Sequence, residues 1–197
     1  MTQKIQTLIK LSTCALMAAA PTWALAHTGH DHSALTGLAE GFLHPLTGLD
    51  HLAAMLAVGV WSAIAVRPIW LAPLAFVLML ALGALLGFSG VHVPAVEPMI
   101  AASLLVMGLL LAWRRGMPWA AAAAVASVFA VFHGAAHGSE MAGTPTWSAL
   151  AGMLMGSALL HGAGVLIGQR MAGRVWLQRS AGGALALMGS SLLVGLV

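Results

Sequence analysis

The chain has 197 residues, of which 60% are hydrophobic and only 7% are charged. This balance is typical of a membrane protein, and it excludes most soluble classes. The net charge is only +3, so nothing favours a nucleic-acid partner, and the length predicts one domain. The 23 glycines suit close helix packing in lipid, where small residues let two backbones approach each other.

Residues 1–26 have the organisation of a secretory signal peptide. Two lysines precede an apolar run, and the small-residue site Ala24-Leu25-Ala26 follows it. The run is shorter than the roughly 20 residues that a membrane span needs. Cleavage after Ala26 is therefore favoured over the alternative, an uncleaved first helix. The single cysteine, Cys14, would leave with the signal, so the mature chain is expected to have neither a disulfide nor a thiolate ligand.

The new N-terminus would begin a His-rich segment, residues 27–37, with the letters HTGHDH. His27, His30 and His32 lie close together along the chain, and cleavage would add a free α-amine. Imidazoles and an amine are ligands for divalent transition metals. We expect this segment to capture metal ions outside the cell. The alternative is a polar tail that binds metal without any role in transport.

Residues 38–197 contain six apolar segments of spanning length, separated by proline, glycine and arginine. The segments are about 38–66, 70–88, 96–113, 118–137, 147–168 and 181–197. The alternating pattern of a transmembrane barrel is absent, and lipid requires each backbone group to be paired. The sequence therefore predicts an all-α integral membrane protein, a six-helix transmembrane bundle after a cleaved signal peptide.

The arginines predict the orientation of this bundle. A cleaved signal places the mature N-terminus outside, so the loops after the first, third and fifth spans would be cytoplasmic. Every arginine belongs to one of these loops or borders it: Arg67, Arg114, Arg115, Arg170, Arg174 and Arg179. This agrees with the positive-inside rule. We expect a multi-pass protein of the bacterial cytoplasmic (inner) membrane, with both mature termini extracytoplasmic.

The first predicted span contains the polar stretch HPLTGLDH, with His44, Asp50 and His51. His44 and His51 share a helix face, but a straight helix would separate them by about 10 Å along its axis. Pro45 and Gly48 lie between them. A break there would bring the three polar side chains together and free backbone carbonyls to line a cavity. The sequence thus predicts a broken first helix with a metal-ligand cluster.

The fourth predicted span carries a second polar cluster, and the fifth carries one histidine. His133, His137 and Glu140 stand at i, i+4 and i+7 on one helix face, which can hold one ion. The helical rise gives the expected depth of each side chain in the membrane. The two clusters and His161 then form a series that descends from the outside towards the cytoplasm. A lone membrane histidine more often bonds two helices together. An intramembrane aspartate, however, costs about 2.5–3.5 kcal/mol, so two clusters favour function.

The first three predicted spans would form one half of the bundle and the last three the other. Because three is an odd number, two related halves would run through the membrane in opposite directions. Inverted repeats of this kind are common in transporters. The two polar clusters differ in spacing, and the halves do not align by eye. A repeat therefore stays an open alternative. Two other polar residues, His92 and Glu97, are expected to be solvated near the second outer loop.

The motif His-Pro-x-x-Gly-x-Asp-His of residues 44–51, together with FHGAAHGSE and His161, resembles the signature of the HupE/UreJ family of nickel permeases. Met55 and Gly59 also stand where that family has them. The resemblance covers the mature chain. It implies transport of Ni2+, or Co2+, as substrate with no permanently bound cofactor, and supply of the metal to hydrogenase or urease maturation. The residues alone would equally suit zinc, copper(II) or iron.

Two enzyme classes are the alternatives to a transporter. The stretch GFSG contains Ser89 and is similar to the Gly-x-Ser-Gly of rhomboid-like intramembrane proteases, in which a histidine could act as base. A membrane metal hydrolase or di-iron oxidase would use the same histidines but needs more ligands. We predict that the chain is not an enzyme. Metal uptake that survives Ser89→Ala would separate the transporter from the protease.

Overall fold

A computed structural model describes residues 34–114, 116–141 and 146–195. Within these ranges the chain is all-helical, and the helices are α1 (Ala34–Thr47), α2 (Leu49–Ala65), α3 (Leu71–Phe88), α4 (Val96–Trp113), α5 (Trp119–Glu140), α6 (Thr146–Met171) and α7 (Val175–Gly195). The predicted signal peptide, the histidines of the N-terminal segment and Arg115 lie outside the described ranges.

The helices have the lengths and apolar character of a multi-pass membrane protein. Four of them, α3 to α6, are long and apolar enough to cross a membrane, and α1 with α2, bent by 83°, counts as a fifth where the pair is taken as one broken span. The helix α7 has 21 residues but is less apolar, because Gln178 and Arg179 lie near its start. The described residues therefore confirm an all-helical membrane architecture. The sixth span stays a prediction.

The predicted break in the first span is confirmed at Gly48. This residue has an extended backbone, with φ −93° and ψ 120°, between the end of α1 and the start of α2. Pro45 lies in the last turn of α1, where its missing N–H weakens the helix before the break. The carbonyl of Gly48 then accepts a hydrogen bond from the Leu52 N–H, at 2.9 Å, which begins α2.

Glycines bring the helices together in three close sets, which are α1 and α2 with α6, α3 with α5, and α4 with α7. A Cβ on Gly83 of α3 would lie 2.1 Å from the carbonyl oxygen of Val131 in α5, so only glycine fits there. Gly108 of α4 and Gly182 of α7 meet in the same way, with 2.6 Å to the partner carbonyl. Backbones at this distance gain dispersion energy along the whole crossing.

Candidate metal site

The break at Gly48 positions two histidines of the first span around one histidine of α5. The ring of His137 lies 4.8 Å from the ring of His44, at the end of α1, and 4.4 Å from the ring of His51, at the start of α2. A straight helix would hold these two rings too far apart for both contacts. The bend therefore brings the polar residues together, as the sequence predicts.

His44, His137 and Glu140, which we call the outer cluster, offer one ligand atom each, all within 4.8 Å of one another. His44 Nε2 lies 2.8 Å from Glu140 Oε2, and His137 Nδ1 lies 3.8 Å from the same oxygen. Ligands about 2.1 Å from one ion lie at most about 4.2 Å apart. Glu140 is exposed, so a small rotation of its side chain would complete a three-ligand site.

Asp50 orients His51, whose ring lies beside His137 of the outer cluster. One carboxylate oxygen, Oδ1, accepts hydrogen bonds from His51 Nδ1 and from the His51 backbone N–H, both at 2.9 Å. A carboxylate only accepts, so in the neutral imidazole the proton is on Nδ1 and the Nε2 lone pair is free. Carboxylates in this position are typical partners of metal-binding histidines. Asp50 thus acts through His51, although it also lines the cavity described below.

His133 and His161 are held in the same tautomer by backbone carbonyls one turn earlier. His133 Nδ1 donates to the carbonyl of Phe129 at 3.0 Å, and His161 Nδ1 donates to that of Ser157 at 2.6 Å. A carbonyl has no proton to give, so each Nε2 keeps a lone pair. Both rings are fully buried. The local helical geometry therefore prepares two more imidazoles as ligands.

Four histidines form a row of neighbouring rings from the outer cluster into the protein, and Phe76 connects this row to a fifth. His51 lies between His137 and His133, with its ring 5.0 Å from that of His133. Phe76 of α3 then separates His133 from His161, at ring distances of 5.4 Å and 4.8 Å. We call this set the histidine row: His44, His137, His51, His133 and, beyond Phe76, His161. The predicted series from outside towards the cytoplasm stays a prediction. His133 contacts His51 and does not belong to the outer cluster, whereas the sequence had grouped it with His137 and Glu140 around one ion.

The buried nitrogens of the row have no hydrogen-bond partner within the described part of the chain. They are Nε2 of His51, His133 and His161 and both ring nitrogens of His137. An unpaired buried polar atom costs about 1–3 kcal/mol, so such atoms are rare unless they have a function. Five such atoms, on four histidines of three spans, are therefore available to bind a metal ion.

A cavity of about 450 Å³ opens onto the outer cluster. Three of the five acidic residues of the chain line it: Asp50, Glu97 and Glu140. Carboxylates that share a cleft create a negative potential, which concentrates cations at its mouth. The sequence interpretation of Glu97 missed this role, because Glu97 is exposed as expected but faces the cavity. A carboxylate at the outer end of a span, in a chain with few charges, was the available signal.

The arginines lie at the opposite end of the helices from this cavity. The cavity is lined by the start of α4 and the ends of α5 and α7. Arg67 follows α2, Arg114 follows α4, and the remaining described arginines lie around the end of α6 and the start of α7. The carboxylates that line the cavity and the described arginines are therefore separated along the bundle, with the outer cluster at the acidic end.

Ser89 has a structural explanation that needs no catalysis. It directly follows α3, it is exposed, and its hydroxyl donates to the carbonyl of Leu86 at 2.8 Å. This is a common way for serine to satisfy a carbonyl at a helix end. Sequence reasoning missed Phe76, which contacts His133 and His161, since an aromatic residue inside an apolar span carries no local signal.

Comparison with known proteins identifies the family of the chain. The model of the HupE / UreJ protein family matches residues 15–192. Protein HupE of Rhizobium leguminosarum bv. viciae is 40% identical over 194 residues, covering 94% of this chain and 98% of that relative. No solved structure matches the chain.

Proposed function

The chain belongs to the HupE/UreJ family, and from this premise we propose that it is a membrane permease for a divalent transition-metal cation, with nickel as its substrate. The single observation that carries the proposal is the histidine row. It begins at an open acidic cavity, continues through buried imidazoles and reaches the interior at His161. Neutral imidazole and carboxylate are ligands for nickel, cobalt, zinc and copper(II).

The choice of nickel, with cobalt as the second candidate, comes from the family resemblance and not from the ligand types. The same resemblance supports supply of the metal to a hydrogenase or urease maturation pathway. Ni2+ would be cargo and not a resident cofactor. A row of single imidazoles suits this use, since each site binds the ion weakly enough to release it to the next.

We place the protein in the bacterial cytoplasmic membrane with the cavity facing out. The arginine end would face the cytoplasm, in agreement with the positive-inside rule. Metal ions would then enter at Glu97 and Glu140 and leave beyond His161. The C-terminus would be extracytoplasmic, since α7 ends beside the cavity, and the predicted cleaved signal peptide would place the mature N-terminus on the same side.

Replacing Asp50 with alanine is expected to weaken metal uptake without removing a direct ligand from the outer cluster. The change releases the His51 ring, whose Nδ1 partner it removes. Loss of such a partner typically lowers metal affinity about 10- to 100-fold. The metal concentration for half-maximal uptake should rise by a similar factor. Glu40→Ala is the matched control, because Glu40 is also acidic and on the first span but does not line the cavity; equal effects would contradict the role of Asp50.

Replacing His27, His30 and His32 together with alanine should raise the metal concentration needed for half-maximal uptake and leave the maximal rate nearly unchanged. The reason is that these histidines would capture scarce ions, whereas excess metal reaches the cavity unaided. Uptake measured from limiting to saturating nickel checks this. A complete loss at saturating metal would make the segment part of the permeation path, and no change at limiting metal would make it a tail only.

Radiolabelled nickel uptake in cells with and without the chain tests the proposed function. We expect chain-dependent uptake, with cobalt, zinc and copper as competitors that rank the selectivity of the site. Absence of any metal-dependent uptake would contradict the proposal. Normal uptake in histidine variants, combined with loss of a proteolytic activity in Ser89→Ala, would favour the intramembrane protease. Metal-dependent turnover of a substrate without uptake would favour the hydrolase or oxidase.

A further inference from the structure

The crossing of α2 with α6 has a detailed contact pattern around two glycines. A Cβ on Gly59 would lie 2.3 Å from the carbonyl oxygen of His161 and 2.9 Å from the nitrogen of Val165. A Cβ on Gly164 would lie 2.3 Å from the carbonyl oxygen of Leu56 and 3.0 Å from the Cα of Gly59. Further along, Gly168 approaches Val60, so the two helices run in the same direction.

The crossing of α5 with α3 repeats this pattern atom by atom. A Cβ on Gly134 would lie 2.1 Å from the carbonyl oxygen of Leu80 and 2.7 Å from the nitrogen of Ala84. A Cβ on Gly83 would lie 2.1 Å from the carbonyl oxygen of Val131, and Gly134 would approach the Cα of Gly83 at 3.0 Å. Gly87 approaches the carbonyl of Ala135 at 2.7 Å, so these helices are parallel too.

The spacing between corresponding residues is identical in the two crossings. In α2 and α5 the corresponding residues are Leu56 and Val131, Gly59 and Gly134, and Val60 and Ala135. In α6 and α3 they are His161 and Leu80, Gly164 and Gly83, Val165 and Ala84, and Gly168 and Gly87. The first span thus matches the fourth, and the fifth matches the second.

The third close pair fits the same relation. The helices α4 and α7, which would be each other's counterparts, pack against each other in opposite directions, since Gly108 meets Gly182 and Ala101 meets Gly189. Each half then has three spans, an odd number, so the halves would enter the membrane from opposite faces. This is the arrangement of an inverted repeat, in which one bundle of helices rocks against another around a central site.

The two ends of the bundle are in different states, although the repeat relates them. At the acidic end the cavity is open and His51 lines it. The counterpart of His51 by the same spacing is Ala126, which is 1% exposed. Around it the arginine end is packed shut by Trp61, Val66 and Ala122, each at 0% exposure.

A contact between the two halves closes the arginine end. The N–H of Met117, just before α5, donates to the carbonyl of Ala65, at the end of α2, at 3.2 Å. The counterpart of Ala65 by the same spacing is Glu140, which contacts His44 at the acidic end. The arginine end is therefore joined by a backbone contact between apolar residues, whereas at the acidic end the facing residues are two members of the outer cluster.

We propose that the chain works by alternating access: the set of α1, α2 and α6 rocks against the pair of α3 and α5. The structure is the state open at the acidic end. In the second state the cavity closes around the outer cluster, the contact between Ala65 and Met117 opens, and Ala126 lines a cavity at the arginine end. The proposal rests on the proposed transport function and adds that no continuous pore exists in either state.

The test begins with a cysteine pair at Ala65→Cys and Met117→Cys in a chain whose only cysteine is removed by Cys14→Ala. Oxidation should join α2 to the segment before α5 at the closed end. Partial proteolysis between the two cysteines followed by gel electrophoresis reports the cross-link, because the fragments then stay together until they are reduced. We expect nickel flux into vesicles to fall at least tenfold on oxidation and to return on reduction, with each single cysteine variant insensitive. Full flux in the cross-linked protein would overturn alternating access and leave the proposed function intact.

A second measurement does not depend on nickel flux. Ala126→Cys should react with a membrane-impermeant maleimide added to the arginine face, and the oxidised Ala65–Met117 pair should slow this reaction at least tenfold. Val128→Cys is the control, because Val128 lies on the same helix but is 52% exposed on the outer surface of the bundle and should stay unreactive in lipid. An Ala126→Cys that never reacts, or that reacts equally with and without the cross-link, would contradict the proposal. If labelling behaves as expected while even the unaltered chain moves no nickel, the proposed function fails and the rocking motion stands.

Discussion

Replacing His137 with alanine is expected to reduce nickel uptake to background while the protein still inserts into the membrane. His137 is the junction of the histidine row, because its ring contacts both His44 and His51. It also belongs to the three-ligand outer cluster. The change removes two buried unpaired nitrogens and therefore relieves a cost of desolvation. Uptake should fall at least 100-fold, measured with radiolabelled nickel at equal protein levels.

The control for this variant is His92→Ala, which also removes an imidazole. His92 is exposed between α3 and α4 and does not line the cavity, so uptake should be unchanged. Equal loss in both variants would point to a general requirement for histidine outside the row. Normal uptake in His137→Ala would mean that the ion does not pass through the outer cluster.

Replacing Gly83 with alanine is expected to destabilise the protein. The added Cβ would lie 2.1 Å from the carbonyl oxygen of Val131, far inside contact distance, so α3 and α5 must move apart along their whole crossing. Overpacking of this kind costs about 1–3 kcal/mol or more. The thermal midpoint of the protein in detergent should fall by several degrees.

Gly183→Ala is the matched control on stability. A Cβ on Gly183 has no neighbour within 4 Å in the described structure, so the extra methyl group adds helix propensity without a clash. Its thermal midpoint should equal or exceed that of the unaltered chain. A Gly83→Ala protein as stable as Gly183→Ala would show that the close crossing contributes little to the fold.

The sequence was sufficient to predict the features that depend on local chemistry. Proline and glycine between His44 and Asp50 predicted the break, because each weakens a helix for a backbone reason that needs no neighbour. The apolar segments predicted the helices within a few residues, except that α1 begins at Ala34, before residue 38, and α7 begins at Val175, before residue 181. Polar residues near the ends made these limits hard to place.

Contacts between distant parts of the chain could not be predicted in the same way. His44 and Glu140 are 96 residues apart, and their hydrogen bond depends on which helices pack together. The same is true of Phe76, which separates two histidines from other spans. The repeat was invisible to an alignment of polar residues, because it is carried by the spacing of small residues at helix crossings, whereas His51 corresponds to Ala126 and His161 to Leu80.

Nickel entry into vesicles that contain only the purified protein and lipid tests the central claim most directly. A metal-sensitive fluorophore trapped inside reports the ion, and protein-free vesicles give the background. The histidine row predicts entry that saturates with nickel concentration in the unaltered protein and falls to background in His137→Ala. Entry at the protein-free rate, or equal entry with both proteins, would contradict the claim that this row carries the metal across the membrane.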